Sequence, residues 1–101
     1  MKVANLFYKS KQWERKRENV LKRDQYECRE CKRYGKVTGA QMVHHVRPFE
    51  QYPELKLDNN NLISLCNKCH GSMHDRTTNE LTDKGRQWIE RTERVNLYAK
   101  K

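Results

Sequence analysis

Two Cys-x2-Cys pairs, Cys28/Cys31 and Cys66/Cys69, contain every cysteine of the chain and are separated by 34 residues. Four soft ligands at this spacing suit a closed tetrahedral zinc site, so residue 31 has to fold back beside residue 66. The demand is strong because little else can hold the domain together. At 101 residues, 35% hydrophobic and with a mean hydropathy of -1.22, the chain cannot bury a large core. Structural zinc contributes roughly 10 to 16 kcal/mol in zinc-finger peptides, well above the few kcal/mol a small core leaves over. Two disulfides are the competing reading and suit a secreted mini-protein. Residues 1–10 show no sustained apolar segment or cleavage site, and no stretch approaches the length of a membrane span. A reduced, cytoplasmic setting without a membrane partner is expected.

A 34-residue gap is too long for a compact zinc ribbon, and the histidines suggest what fills it. His44 and His45 lie inside the gap, His70 follows the last cysteine, and His74 is four residues further on. Ser10 caps a predicted helix to about Arg23, with Trp13, Val20 and Leu21 on one face and Lys11, Arg15, Lys16 and Lys22 mostly elsewhere. Trp13 reads as core, and Phe49 and Tyr52 as packing for a loop. After the first cysteine pair a turn over 34–39 leads into a strand, Gln41 to Val46, that Pro48 stops. The 15 residues from Arg47 to Asn61 form a loop long enough to carry function, and a second strand, Leu62 to Leu65, pairs back. A short helix from Lys68 to about Asp75 would point His70 and His74 the same way. Thr82 caps a last helix to about Tyr98, with Trp88, Ile89, Thr92 and Val95 inward. One domain spans 1–101, with its core at about 13–75 and the C-terminal helix at about 82–98.

The formal charge is +9, and residues 1–40 hold 12 basic against 5 acidic residues, leaving 10 against 8 for residues 41–101. A polyanion such as double-stranded DNA is the natural partner, because phosphates neutralised by Lys or Arg release condensed counterions. Arg15 and Lys16 on the first helix, with Arg47 and Arg76 beside the histidines, are the candidate phosphate contacts.

Adjacent strand residues face opposite sides, so His44 and His45 are expected to do different work. His44, with His70 and His74, can hold a cation by three ligands and leave positions open for a phosphate and the leaving 3′ oxygen. A neutral histidine, His45, can take the proton of the attacking water at physiological pH. A neighbouring asparagine can brace the loop.

These residues together resemble the HNH nuclease family, whose ββα-metal motif (the His-Me finger) is marked here by His44-His45, an asparagine best matched by Asn61, and His70. Pro48, Pro53-Glu54-Leu55 and the string from Asn61 to His70 resemble its small zinc-containing branch in bacteria and phages, as does the Trp13–Cys28 stretch. The resemblance implies an α+β, zinc-stapled ββα-metal domain with flanking N- and C-terminal helices. It also implies His44 and His70 as ligands of a catalytic divalent cation, His45 as general base, and Asn61 as the asparagine of the motif, with Asn59 and Asn60 as the alternatives one or two positions away. His74 matches a third ligand found in the colicin-type members. Cys28, Cys31, Cys66 and Cys69 would hold structural Zn2+, while the catalytic cation could be Mg2+, Mn2+, Ni2+ or Zn2+.

The activity expected is nicking or double-strand cleavage of DNA with low sequence specificity, leaving a 5′ phosphate and a 3′ hydroxyl. In the family the ββα element enters the minor groove, a degenerate reader of sequence, and phosphate contacts carry no sequence information. A phage origin, a bacterial host cytoplasm, a terminase or other packaging partner, and a monomer or weak dimer complete the expectation. The rival, a noncatalytic zinc-ribbon DNA-binding protein, explains the cysteines and charge but leaves the histidines unused.

Overall fold

The computed structural model describes residues 3–78 and 80–99, and the side chains of 6–78 and 80–92 among them. Its elements in chain order are α1 (Val3–Tyr8), α2 (Lys11–Arg23), α3 (Arg29–Arg33), β1 (Met42–His45), β2 (Leu62–Leu65), α4 (Asn67–Gly71) and α5 (Asp83–Ala99). This is an α+β arrangement: a two-stranded antiparallel ribbon with helices on both faces.

Helix α2 starts where Ser10 accepts the Trp13 backbone N–H at 3.1 Å, and it buries Trp13, Val20 and Leu21. The chain leaves α2 through Gln25 and Tyr26, both in the left-handed region at φ 58° and 56°, and turns towards the first cysteine pair. Helix α5 begins at a Thr82 cap whose Oγ accepts the Gly85 N–H at 3.3 Å, and it buries Trp88. The side chain of Val95 lies outside the described residues.

The register pairs Met42 with Leu65, Val43 with Ser64, His44 with Ile63 and His45 with Leu62. Strand alternation therefore builds two cores. Val43 and Leu62 pack with Phe7, Trp13, Val20, Leu21 and Ala40 on the α2 side. Ile63, Leu65 and Val46 pack with Cys28, Cys66, Met73 and Trp88 on the other. Both faces of β2 are covered, which is why Leu62 to Leu65 shows no polar alternation beyond Ser64, itself bonded to the Val20 carbonyl.

Two features differ from the sequence expectation. Helix α1 was not expected; its Phe7 completes the α2-side core. The helix after the second cysteine pair ends at Gly71 rather than near Asp75. His74 consequently sits beyond the helix in an extended bridge to Leu81, with the Thr82 N–H on the Met73 carbonyl and the Asp75 N–H on the Glu80 carbonyl. These backbone bonds across a chain reversal outcompete a second helical turn.

Candidate active site

Cys28 and Cys66 each cap a short helix, accepting the backbone N–H of Cys31 and Cys69 at 3.5 Å. The two knuckles then face each other across the end of the ribbon. All four Sγ atoms lie within 4.8 Å of one another, with Cys31 to Cys69 at 3.7 Å and Cys31 to Cys66 at 4.0 Å. Four thiolates about 2.3 Å from a tetrahedral zinc would stand roughly 3.8 Å apart. The cluster is thus consistent with a zinc site. Burial pushes the Cys66 thiol up, but the Cys69 amide and the surrounding thiols outweigh it and bring it down to about 7.

A second polar group fastens α5 to the first knuckle. Glu30, 1% exposed, accepts from Arg33 at 2.7 Å and from the Trp88 indole at 3.1 Å, with the Lys84 ammonium 3.7 Å away. A carboxylate buried this deeply requires such partners.

His44 points to the thiol-cluster side of the ribbon and is 2% exposed. Its ring lies 5.6 Å from that of His70 and 5.4 Å from that of His74, both edge-on. Burial, then the neighbouring His70, His74 and His45, push its pKa down to about 3. Its Nε2 is buried and, among the described residues, finds no hydrogen-bond partner. A neutral imidazole with an unsatisfied nitrogen beside two more neutral imidazoles has the chemistry of residues that could hold a metal. The rings are looser than the thiols: among the described residues only the four cysteines bring their ligand atoms within 4.8 Å. Rotation of His70 and His74 would be needed to converge on one ion.

His45 turns to the opposite side, into an aromatic wall. The Trp13 ring stacks on it at 5.1 Å and 20°, and Phe7, Tyr8 and Phe49 stand around it. Its Nε2 is 3.0 Å from the Lys56 carbonyl, an acceptor, so the proton is on Nε2 and Nδ1 carries the lone pair. Burial holds its pKa below the ordinary value, against the pull of the Lys56 carbonyl.

The 15-residue loop is held by Asn61, whereas Asn59 and Asn60 are exposed. The Asn61 amide accepts the Arg47 N–H at 2.8 Å and donates to the carbonyls of Arg47 at 3.2 Å and Leu55 at 3.3 Å. It therefore clamps both arms of the loop one residue before the carbonyl that receives His45.

A cleft of about 970 Å³ joins the two histidine environments; His44, His45, His70, His74, Tyr8 and Trp13 all line it. The four basic residues singled out in the sequence are not among its lining. Arg15 is exposed on α2, Lys16 bonds the Asn59 side chain at 2.9 Å, Arg47 stacks over Tyr52 at 5.3 Å, and Arg76 is exposed after His74. Arg17 and Arg86, which sequence reasoning passed over, do line the cleft. So does Tyr8, whose only sequence sign was the run Leu6-Phe7-Tyr8 ahead of a capping serine.

Residues 28–76 match the HNH endonuclease family. A solved structure similar to this chain is the HNH endonuclease of the deep-sea thermophilic bacteriophage GVE2 with manganese ion: 35% identity, a TM-score of 0.66, and coverage of 90% of this chain and 84% of that one. No match is found among the curated proteins. No described helix is long and apolar enough to cross a membrane. With a similar neighbour over most of its length and the family motif spanning both cysteine pairs and all four histidines, the chain belongs to the HNH endonuclease family and is a nuclease.

Proposed function

We propose that the chain hydrolyses phosphodiester bonds of double-stranded DNA with His45 as general base. The carrying observation is the division of labour on β1: one histidine enters a trio of imidazoles with its Nε2 unsatisfied, and the next is fixed by the Lys56 carbonyl with its basic Nδ1 on the opposite edge, beside the cleft-lining Tyr8 hydroxyl. His45 Nδ1 takes the proton of the attacking water, while the Lys56 carbonyl holds the opposite edge of the ring. His44 and His70, with His74 as third ligand, hold the divalent cation. A cation bound there would supply positive charge for the scissile phosphate and the departing 3′ oxygen. Asn61 keeps the loop, and through it His45, in position. Arg17 and Arg86 line the same cleft and are candidate contacts for neighbouring phosphates.

Two further features follow from the same reading. Sequence specificity is low, since phosphate contacts position a protein without reading bases. A link to phage genome packaging is supported by the resemblance to the phage branch and by the phage source of the similar structure. Supercoiled plasmid tests the activity: metal-stripped protein, reloaded with zinc, is given Mg2+, Mn2+, Ni2+ or further Zn2+. Mn2+ is expected to restore nicking, His45→Ala to abolish it, and His44→Ala to abolish it at any of these ions. No cleavage with any cation, or parental cleavage by His45→Ala, refutes the proposal.

A further inference from the structure

The outward nitrogen of His45 faces a phenol. The Lys56 carbonyl fixes the proton on Nε2, so Nδ1 offers one in-plane lone pair, and the Tyr8 hydroxyl lies 3.3 Å from it. The phenol must be the donor. Burial, and then Glu50, raise the Tyr8 pKa, which keeps that proton in place.

The contact is built into the fold. Phe7 is 8% exposed in the core beside Trp13, and the Ser10 hydroxyl that caps α2 also donates to the Phe7 carbonyl at 2.6 Å. The junction of α1 and α2 thereby sets Tyr8 next to the cleft. The Tyr8 ring meets Trp13 edge-on at 5.4 Å yet stays 43% exposed, so it has room to turn outward while Phe7 remains anchored.

Resting on the assignment of His45 as base, we propose that Tyr8 gates the nuclease: its hydroxyl engages the Nδ1 lone pair in the free enzyme and must swing aside before the attacking water can bond there. One lone pair serves one strong donor, and water must lie within about 3.2 Å of it to be activated. An interaction present in the free enzyme and absent from the transition state lowers kcat/KM. Incoming DNA, filling the cleft that Tyr8 lines, is what displaces the phenol.

Tyr8→Phe tests this because it keeps the ring and its packing and deletes only the hydroxyl. On supercoiled plasmid with Mn2+, its kcat/KM is expected to rise about two- to tenfold, the span one neutral hydrogen bond covers. Thermal stability should fall by only the few degrees that one lost hydrogen bond accounts for. An unchanged or lower kcat/KM, with His45→Ala inactive, overturns the gate and leaves the base standing. A fully active His45→Ala overturns both. Side-chain 15N spectra of the histidines supply a readout independent of turnover: the His45 Nδ1 resonance should move in Tyr8→Phe, and an unmoved resonance overturns the contact itself.

Discussion

Replacing Asn61 by alanine removes three hydrogen bonds at once: one from the Arg47 amide and two to the carbonyls of Arg47 and Leu55. Each is worth about 0.5 to 1.5 kcal/mol net, so a loss of about 2 to 4 kcal/mol is expected, as the 5% exposed site admits little water in exchange. For a domain of this size that is a fall in Tm of roughly 10 to 25 °C. The consequence for turnover follows from chain connectivity. Leu55 immediately precedes Lys56, whose carbonyl holds His45 at 3.0 Å, so a released loop lets the imidazole tilt and change tautomer. Groups that orient a reacting side chain typically matter about 10- to 100-fold, and kcat should fall by that factor with little change in KM. Urea unfolding in zinc buffer and plasmid nicking below the variant's melting temperature measure the two effects. Asn61→Asp keeps the acceptor for Arg47 but turns a second carboxylate oxygen onto the Arg47 and Leu55 carbonyls in a buried site, and should be at least as destabilised as Asn61→Ala. If Asn61→Ala unfolds at the parental midpoint, the clamp is wrong; if it is destabilised but cuts within twofold of the parent, the loop does not transmit to His45.

The other predictions concern metal, pH and packing. The parent should hold about one zinc per chain tightly, and Cys28→Ser should lose both that zinc and the folded state; a folded, zinc-free variant would show that the knuckles are dispensable. The histidines have folded pKa values below the ordinary 6.5, with His44 at about 3, so the unfolded chain takes protons first. The contribution of these neutral imidazoles to stability is therefore complete above about pH 6.5 and is lost as pH falls towards 3, His44 alone accounting for something on the order of 5 kcal/mol. Urea midpoints between pH 8 and 4 should drop steadily, and less so in His44→Leu; a flat profile contradicts a buried neutral imidazole. Gly85→Ala would place a methyl 2.7 Å from the Met73 carbonyl and 2.9 Å from Leu81 Cδ2, a clash that should cost about 1 to 3 kcal/mol. The strain falls on the segment bearing His74, so loss of catalytic-cation affinity in Gly85→Ala with parental zinc content would mark His74 as a ligand, and parental affinity would argue against it.

Local pattern carried the parts of the fold that depend on local chemistry. The Ser10 cap, the stripe of Trp13, Val20 and Leu21, and the bounds of β2 were legible because a side-chain cap and a short apolar run bounded by turn residues act within a few positions. What sequence could not supply were contacts between distant segments. An i, i+4 spacing read His74 onto a helix, but the pairing of Met73–Asp75 with residues 80–82 decides its backbone, and it reaches His44 from outside that helix. Tyr8 lies 37 positions from His45, and Lys56 meets it through a carbonyl that every residue possesses, so neither leaves a mark in residue type. Choosing among Asn59, Asn60 and Asn61 likewise needed the loop in three dimensions: only the third is buried against the Arg47 and Leu55 backbone.

The facing cysteine knuckles make the 34 residues between them an insert with nearly touching ends, since the sulfurs of Cys31 and Cys66 lie 4.0 Å apart. Topologically the ribbon and its loop form a closed ring, sealed at its base by the thiol cluster rather than by a peptide bond. Cutting the backbone at an exposed point such as Glu50-Gln51 would open the ring without parting it, because β1 stays paired with β2 and both halves keep a cysteine pair. Two fragments, 1–50 and 51–101, would then each contribute half of one tetrahedral site. A nuclease arranged this way would be divisible into pieces that a metal ion at the four thiols would reunite.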